Sequence, residues 1–195
     1  MNPALRPEPG HAPQGGRSAS GARFAMREQT RRQHEATEAA FAGYDLSRAD
    51  HYRAFLTAHA AALPGIELAA TGRGWKGFAP RLPLLADDLA ALGAWLPAPM
   101  VTAELSDAGV WGAQYVLEGS KLGGRLLAKS VPDDAPATYL TPADTMSADW
   151  QDFCAGFEEA ASAATPEWLD EAGTAAIECF QLFRRAATAV AEDLR

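Results

Sequence analysis

The stretch Tyr115-Val116-Leu117-Glu118-Gly119-Ser120-Lys121-Leu122-Gly123-Gly124-Arg125-Leu126-Leu127 sets three glycines inside an otherwise apolar segment of helical period. A glycine in a helix interior costs roughly 0.5–1 kcal/mol relative to alanine, so three within six positions weaken the helix unless a bare backbone has a use. Gly119 and Gly123 are four residues apart and therefore share one helix face. Such a face admits a neighbouring helix, or a flat ligand, to within contact distance of the main chain. It also leaves the helix easy to bend. The spacing alone leaves both uses open.

Helical spacing continues on either side of this segment. From Arg23, the residues Phe24, Arg27, Thr30, Arg31, His34, Glu38 and Phe41 recur at three- and four-residue steps up to Gly43. Ser47 and Asp50 read as N-cap and capping-box partner of a second helix, whose apolar stripe is Tyr52, Phe55, Leu56, His59 and Leu63. Pro64 and Gly65 are expected to interrupt or kink it. Thr71 to Gly77 reads as a glycine-rich loop, and Leu82 to Trp95 as a further helix closed by Pro97 and Pro99. The glycine-bearing helix is expected to run from Ala103 to about Lys129. Thr141-Pro142 and Thr165-Pro166 each supply an N-cap followed by proline at the first helical position. No segment alternates β-branched residues. The expected fold is all-α, with six to eight helices in one bundle-like domain spanning residues 23–195. Residues 1–22, dense in Pro, Gly, Ala and Ser, are expected to form a disordered tail.

With 195 residues, of which 48% are hydrophobic, the chain suffices for one well-buried domain. A net charge of -8 argues against nucleic acid and against an anionic membrane surface as partners. No apolar run approaches the roughly 20 residues of a membrane span, and the N-terminus lacks the apolar core of a signal peptide, so a cytoplasmic protein is expected. Cys154 and Cys179 form neither CxxC nor a metal-ligand spacing and read as free thiols.

Among the four histidines, His11 falls in the tail, His51 in an exposed first turn, and His59 on an apolar stripe as a core residue. His34 differs because Glu38 follows one turn later. That carboxylate can accept the Nδ1–H and leave Nε2 free as a neutral metal ligand. Arg27 and Arg31 lie on nearly the same face, where guanidiniums would suit anionic groups of a bound ligand. Taken alone, the spacing of His34 and Glu38 is more often that of an ordinary i,i+4 surface pair.

Taken together, two segments resemble the haem oxygenase family. Met26-Arg27-Glu28-Gln29-Thr30-Arg31-Arg32-Gln33-His34-Glu35-Ala36-Thr37-Glu38 is similar to its proximal helix, and Tyr115 to Gly124 to its distal helix, in the Glu-Gly-Ser-x-Leu-Gly-Gly form of bacterial members, including those that serve bacteriophytochromes. Asp45-Leu46-Ser47 with Tyr52, Phe55, Leu56 and His59 is similar to the family's second helix. The resemblance covers roughly residues 23 to 190. It implies haem b as both substrate and cofactor, clamped between the two helices with His34 on iron, supported by Glu38. Arg27 would lie near a propionate. Tyr115, Gly119, Gly123 and Gly124 would line the other face, with Gly119, Ser120 and Gly123 carrying the catalytic role: bare backbone leaning dioxygen toward a meso carbon, and a hydrogen-bonded water network.

The implied reaction oxidises haem to biliverdin, CO and iron, using O2 and electrons from ferredoxin, a flavin reductase or ascorbate. The resemblance also implies a bacteriophytochrome as bilin acceptor. Ser120 stands where animal members carry an aspartate. Around Trp150, Gln151 and Ala155 the chain lacks the further basic residues expected near the propionates, and this motivates a second reading, a haem-binding or regulatory protein of the same fold without turnover. Lys121, Arg125 and Lys129 form a basic stripe that could dock an acidic donor or simply face solvent. An unrelated di-iron oxidase would need a Glu, Asp and His cluster that the histidine count does not supply, and a thiamine-degrading enzyme would need an activated cysteine.

Overall fold

A computed structural model describes residues 21–141 and 143–192. Six α-helices follow one another: α1 Gly21–Phe41, α2 Ala49–Ala70, α3 Leu82–Ala91, α4 Asp107–Leu127, α5 Met146–Ala163 and α6 Pro166–Glu192, with a 3-10 turn, Ala128–Ser130, ending α4. Among the described residues there is no strand. The expected tail at residues 1–22 lies almost wholly outside the described residues, and Gly21 and Ala22 already belong to α1.

The long helix α6 is the hub, packing against α1, α2 and α4. It buries Phe180, Leu182, Phe183 and a run of alanines on one face. Each large apolar side chain removed from water contributes roughly 1.5–3 kcal/mol, and the alanines let neighbouring helices approach. Gly112 of α4 makes the tightest crossing. A Cβ there would strike the carbonyl oxygen of Ala172, so close helix packing is indeed one use of glycine in α4. Two hydroxyls fix α1 and its following loop to α6: Thr37 Oγ1 donates to Phe180 O at 3.0 Å, and Tyr44 Oη to Ala187 O at 2.6 Å.

Several helix boundaries differ from the sequence expectation for local reasons. Ser47 does not cap α2. Its N–H and hydroxyl both turn back to Asp45 Oδ1, leaving Arg48 at the N-cap, while Asp50 accepts from Arg48 and the His51 N–H. α2 continues through Pro64 and Gly65 to Ala70 without interruption. α3 stops at Ala91, ahead of the prolines, because Gly93 adopts a positive φ of 68° and the Ala94 N–H closes on Leu89 O. α4 starts at Asp107, since Ser106 Oγ accepts from the Gly109 N–H at 3.1 Å. Thr141 does not open α5. Its N–H and hydroxyl close the preceding turn on Ala137 O, and the helix begins at Met146 after Thr145, with Pro142 outside the described residues. The Thr165-Pro166 start is as expected.

Two buried polar side chains hold the loops that flank the cleft. Gln114 is fully buried on α4. Its Nε2 donates to the carbonyls of Ala70 and Arg73, and its Oε1 accepts from the Trp75 N–H, tying the glycine-rich loop to α4. Asp88, 1% exposed, accepts from the N–H groups of Thr138 and Tyr139 at 3.1 and 2.8 Å and fixes the segment before α5.

Candidate functional site

Helices α1 and α4 face each other across a cleft of about 510 Å3. That volume lies within the roughly 300–1,000 Å3 of small-molecule sites. His34, Thr37 and Glu38 come from α1, and Gly119, Ser120 and Gly123 from α4. His59, Arg81, Tyr139 and Trp150 also line it. The segment containing Tyr139 is held there by Asp88, and α1 by the bond from its Thr37 hydroxyl to Phe180 O of α6.

The bare backbone of α4 faces open space. A Cβ built on Gly123 meets nothing within 4 Å, and one on Gly119 meets only Trp150, at 3.7 Å. Neither glycine is required for helix packing, unlike Gly112. Gly124 is buried, and a Cβ built on it would meet Leu140 O at 3.6 Å, so it faces Leu140 in the cleft wall. Within one helix, Gly112 thus meets α6, while Gly119 and Gly123 border the cleft.

Across the cleft, His34 Nδ1 lies 3.4 Å from Glu38 Oε2, and its ring meets Phe180 edge-on with centroids 5.6 Å apart. With Nδ1 turned to the carboxylate, Nε2 is left as the ligand-competent nitrogen. Tyr115 lines the same cleft. Burial raises its hydroxyl pKa, against a smaller opposing pull from the charges of Arg27 and Arg23. Arg27 is exposed and is not part of the cleft wall, and Arg31 pairs with Glu28 at 3.6 Å on the surface.

Arg81 is the one Lys or Arg side chain lining the cleft among the described residues. Its Nη2 donates to Ser120 Oγ at 2.7 Å and to Leu117 O at 3.3 Å, and its guanidinium lies 4.9 Å from the Tyr139 ring centroid. Its backbone N–H donates to buried Glu67, which also accepts from the Leu82 N–H. Burial raises the Glu67 pKa, while these N–H groups and the Arg81 charge oppose the rise. Ser120 spends its own proton on Leu117 O at 2.7 Å, so in this arrangement its hydroxyl can only accept from a further group. Arg81, which the sequence reading did not single out, is the donor beside it. It lies in the short Pro-Arg-Leu-Pro link, where no periodicity marks a side chain as inward.

His59 is a satisfied histidine, as its place on an apolar stripe suggests, but it also borders the cleft. Its Nδ1 lies 2.9 Å from Phe55 O, so Nδ1 carries the proton of the neutral ring and Nε2 is the acceptor. Desolvation is the main cause that pushes its pKa down to about 4, the Phe55 carbonyl opposing and the Arg81 charge adding to it. The basic stripe on α4 is less uniform than its spacing implies. Lys121 Nζ lies 2.6 Å from Glu118 Oε2, a carboxylate whose side chain is 1% exposed, whereas Arg125 and Lys129 are exposed. From α5 the cleft receives Trp150 and no Lys or Arg.

The heme oxygenase of Xanthomonas campestris pv. campestris (strain 8004) is 34% identical over 123 residues, covering 57% of this chain and 74% of that protein. The chain belongs to the haem oxygenase family. A crystal structure of the NO- and CO-bound heme oxygenase from Neisseria meningitidis superposes with a TM-score of 0.71 at 19% identity, over 87% of this chain and 91% of that one. At that identity the likeness establishes the all-helical haem oxygenase fold. No family model matches the chain. Among the described residues, no helix is long and apolar enough to cross a membrane.

Proposed function

We propose that the protein is a biliverdin-forming haem oxygenase whose substrate lies in the cleft between α1 and α4, with His34 Nε2 as the iron ligand. The observation that carries this reading is the pair of glycines, Gly119 and Gly123, whose missing Cβ atoms leave open space opposite an imidazole oriented by Glu38. A flat, largely apolar macrocycle fits a slot walled by bare backbone on one side and an edge-on aromatic and histidine on the other. Bound haem supplies the iron that takes up dioxygen and the meso carbon that is oxidised, so the products are biliverdin, CO and iron.

This chain's own residues then orient, exclude and donate. Bare backbone at Gly119 and Gly123 would leave no side chain there to compete with dioxygen and would limit the directions open to it. Arg81, held by Ser120 Oγ and Leu117 O, is placed to donate to ordered water where animal members use an aspartate. Tyr115 and Gly124 complete the wall, and Arg27, exposed and outside it, would meet a propionate only beyond the cleft's rim. Electrons come from outside, from ferredoxin, a flavin reductase or ascorbate. A bacteriophytochrome is a suitable acceptor of the bilin. Two unpaired, buried cysteines support a reducing, cytoplasmic setting.

Adding ascorbate in air to the hemin complex tests this. Decay of the Soret band into a biliverdin absorption, with release of CO, is expected. A Soret band that forms and persists gives the place to a binding protein without turnover, for which the absence of Lys and Arg at the Trp150 wall is the specific argument.

A further inference from the structure

Helix α3 begins without a cap of its own. Arg81, at its N-cap position, makes no side-chain bond to the helix backbone, the first turn holds no acidic residue, and Pro83 has no N–H to satisfy. The capping carboxylate comes instead from α2. Glu67 is 3% exposed, and its two oxygens serve neighbouring backbone donors: Oε1 accepts from the Arg81 N–H at 2.6 Å and Oε2 from the Leu82 N–H at 3.0 Å. A carboxylate there also meets the positive end of the α3 dipole. Arg81 is thereby held at both ends. Glu67 fixes its backbone, while Ser120 Oγ, Leu117 O and the face of Tyr139 receive its guanidinium. A long side chain acts as a lever, so a small turn of the Arg81 peptide carries the guanidinium away from Ser120 and from the bare backbone of Gly119.

We infer that Glu67 is a positioning residue for the haem oxygenase reaction proposed above, on which its role rests: through the Arg81 backbone it sets the place from which the Arg81 guanidinium donates in the cleft. Glu67 does not line the cleft, so it acts there only through Arg81. Ionised, it serves both N–H groups at once. An amide in its place has a single acceptor oxygen and turns an NH2 toward the second N–H, so one bond is lost with almost no change of volume. The orphaned N–H then faces a donor, and the first turn of α3 shifts to relieve it.

Glu67→Gln, Arg81→Met and the double variant form a cycle, read by single-turnover ring opening of the hemin complex with ascorbate. Glu67→Gln alone should slow ring opening about 10-fold, with hemin affinity within a few-fold of wild type, as when a donor at a reacting centre is slightly displaced. In the Arg81→Met background the same substitution should change the rate by less than about twofold, because the group it places is gone. A general loosening of the fold would slow both backgrounds alike. In the haem-free proteins, amide hydrogen exchange at Arg81 and Leu82 should be slow in the wild type and several-fold faster in Glu67→Gln. Glu67→Asp, which keeps both acceptors on a shorter stem, supplies a second cycle if the amide variant does not fold, with the same non-additivity expected. Equal slowing in both backgrounds, an unchanged rate in Glu67→Gln, or exchange unaltered by the substitution overturns the role of Glu67. A wild type that binds no hemin, or binds it without ring opening, removes the oxygenase reading itself; the haem-free exchange still reports the bond from Glu67 to α3, so the two failures are told apart.

Discussion

Arg81 Nη2 donates to Ser120 Oγ at 2.7 Å, joining the link before α3 to the first residue after Gly119. The same nitrogen reaches Leu117 O, so one guanidinium braces the bare part of α4 and brings a cation to the cleft. Replacing it with methionine, which keeps the apolar stem but not the donors, should leave hemin binding within a few-fold of wild type. Ring opening should slow by about 10²-fold, as when a preorganised donor is lost at a reacting centre. Single-turnover kinetics with ascorbate measure this; unchanged rates would assign Arg81 to structure alone.

Gly123→Ala and Gly112→Ala should change stability in opposite directions. At Gly123 the new methyl enters open space, so the helix gains about 0.5–1 kcal/mol while the cleft loses its bare wall and turnover falls. At Gly112 the methyl collides with the Ala172 carbonyl, and overpacking against backbone should cost roughly 1–3 kcal/mol or more. Thermal melts of the two variants decide this. A destabilised Gly123→Ala would return Gly123 to the role of packing residue.

This division shows where the sequence was legible. Glycine spacing announced that α4 needs bare backbone, and His34 with Glu38 announced an oriented imidazole, because both patterns are local to one helix. Which glycine meets a helix and which meets a cleft depends on how α4 lies against α6, and Ala172 and Trp150 are distant in sequence. Arg81 escaped notice because its partners, Ser120 and Leu117, are distant in sequence and come near only after folding. The expected caps at Ser47 and Thr141 fail for a related reason: both hydroxyls donate to nearby oxygens, Asp45 Oδ1 and Ala137 O, and neither accepts from the N–H groups of the helix that follows.

His59 should make stability depend on pH. Its folded pKa, about 4, lies below the ordinary histidine value, so the folded state refuses a proton that the unfolded chain accepts. The stabilisation is fully present above about pH 6.5 and is lost as pH falls from there toward 4. Because part of the ring borders the cleft, a loss of roughly 2 kcal/mol is expected across this window. Urea unfolding at pH 7.5 and pH 5 should show this for the wild type, with a smaller difference in His59→Phe.

Lys121 should matter more than its neighbours in the basic stripe. Lys121→Ala leaves Glu118 buried without its cation, which should cost roughly 3 kcal/mol. Arg125→Ala, at an exposed position, should stay within about 0.5 kcal/mol of wild type. Chemical denaturation of both variants is sufficient, and equal effects would contradict the pairing.

The central claim is that His34 holds iron across from Gly119 and Gly123, and hemin absorption titrations of wild type and His34→Ala in parallel test it most directly. The wild type should saturate one Soret transition at one equivalent. The variant should lose or shift that band and recover it on addition of free imidazole. Indistinguishable titrations and spectra for the two proteins would contradict the assignment of His34 as the ligand.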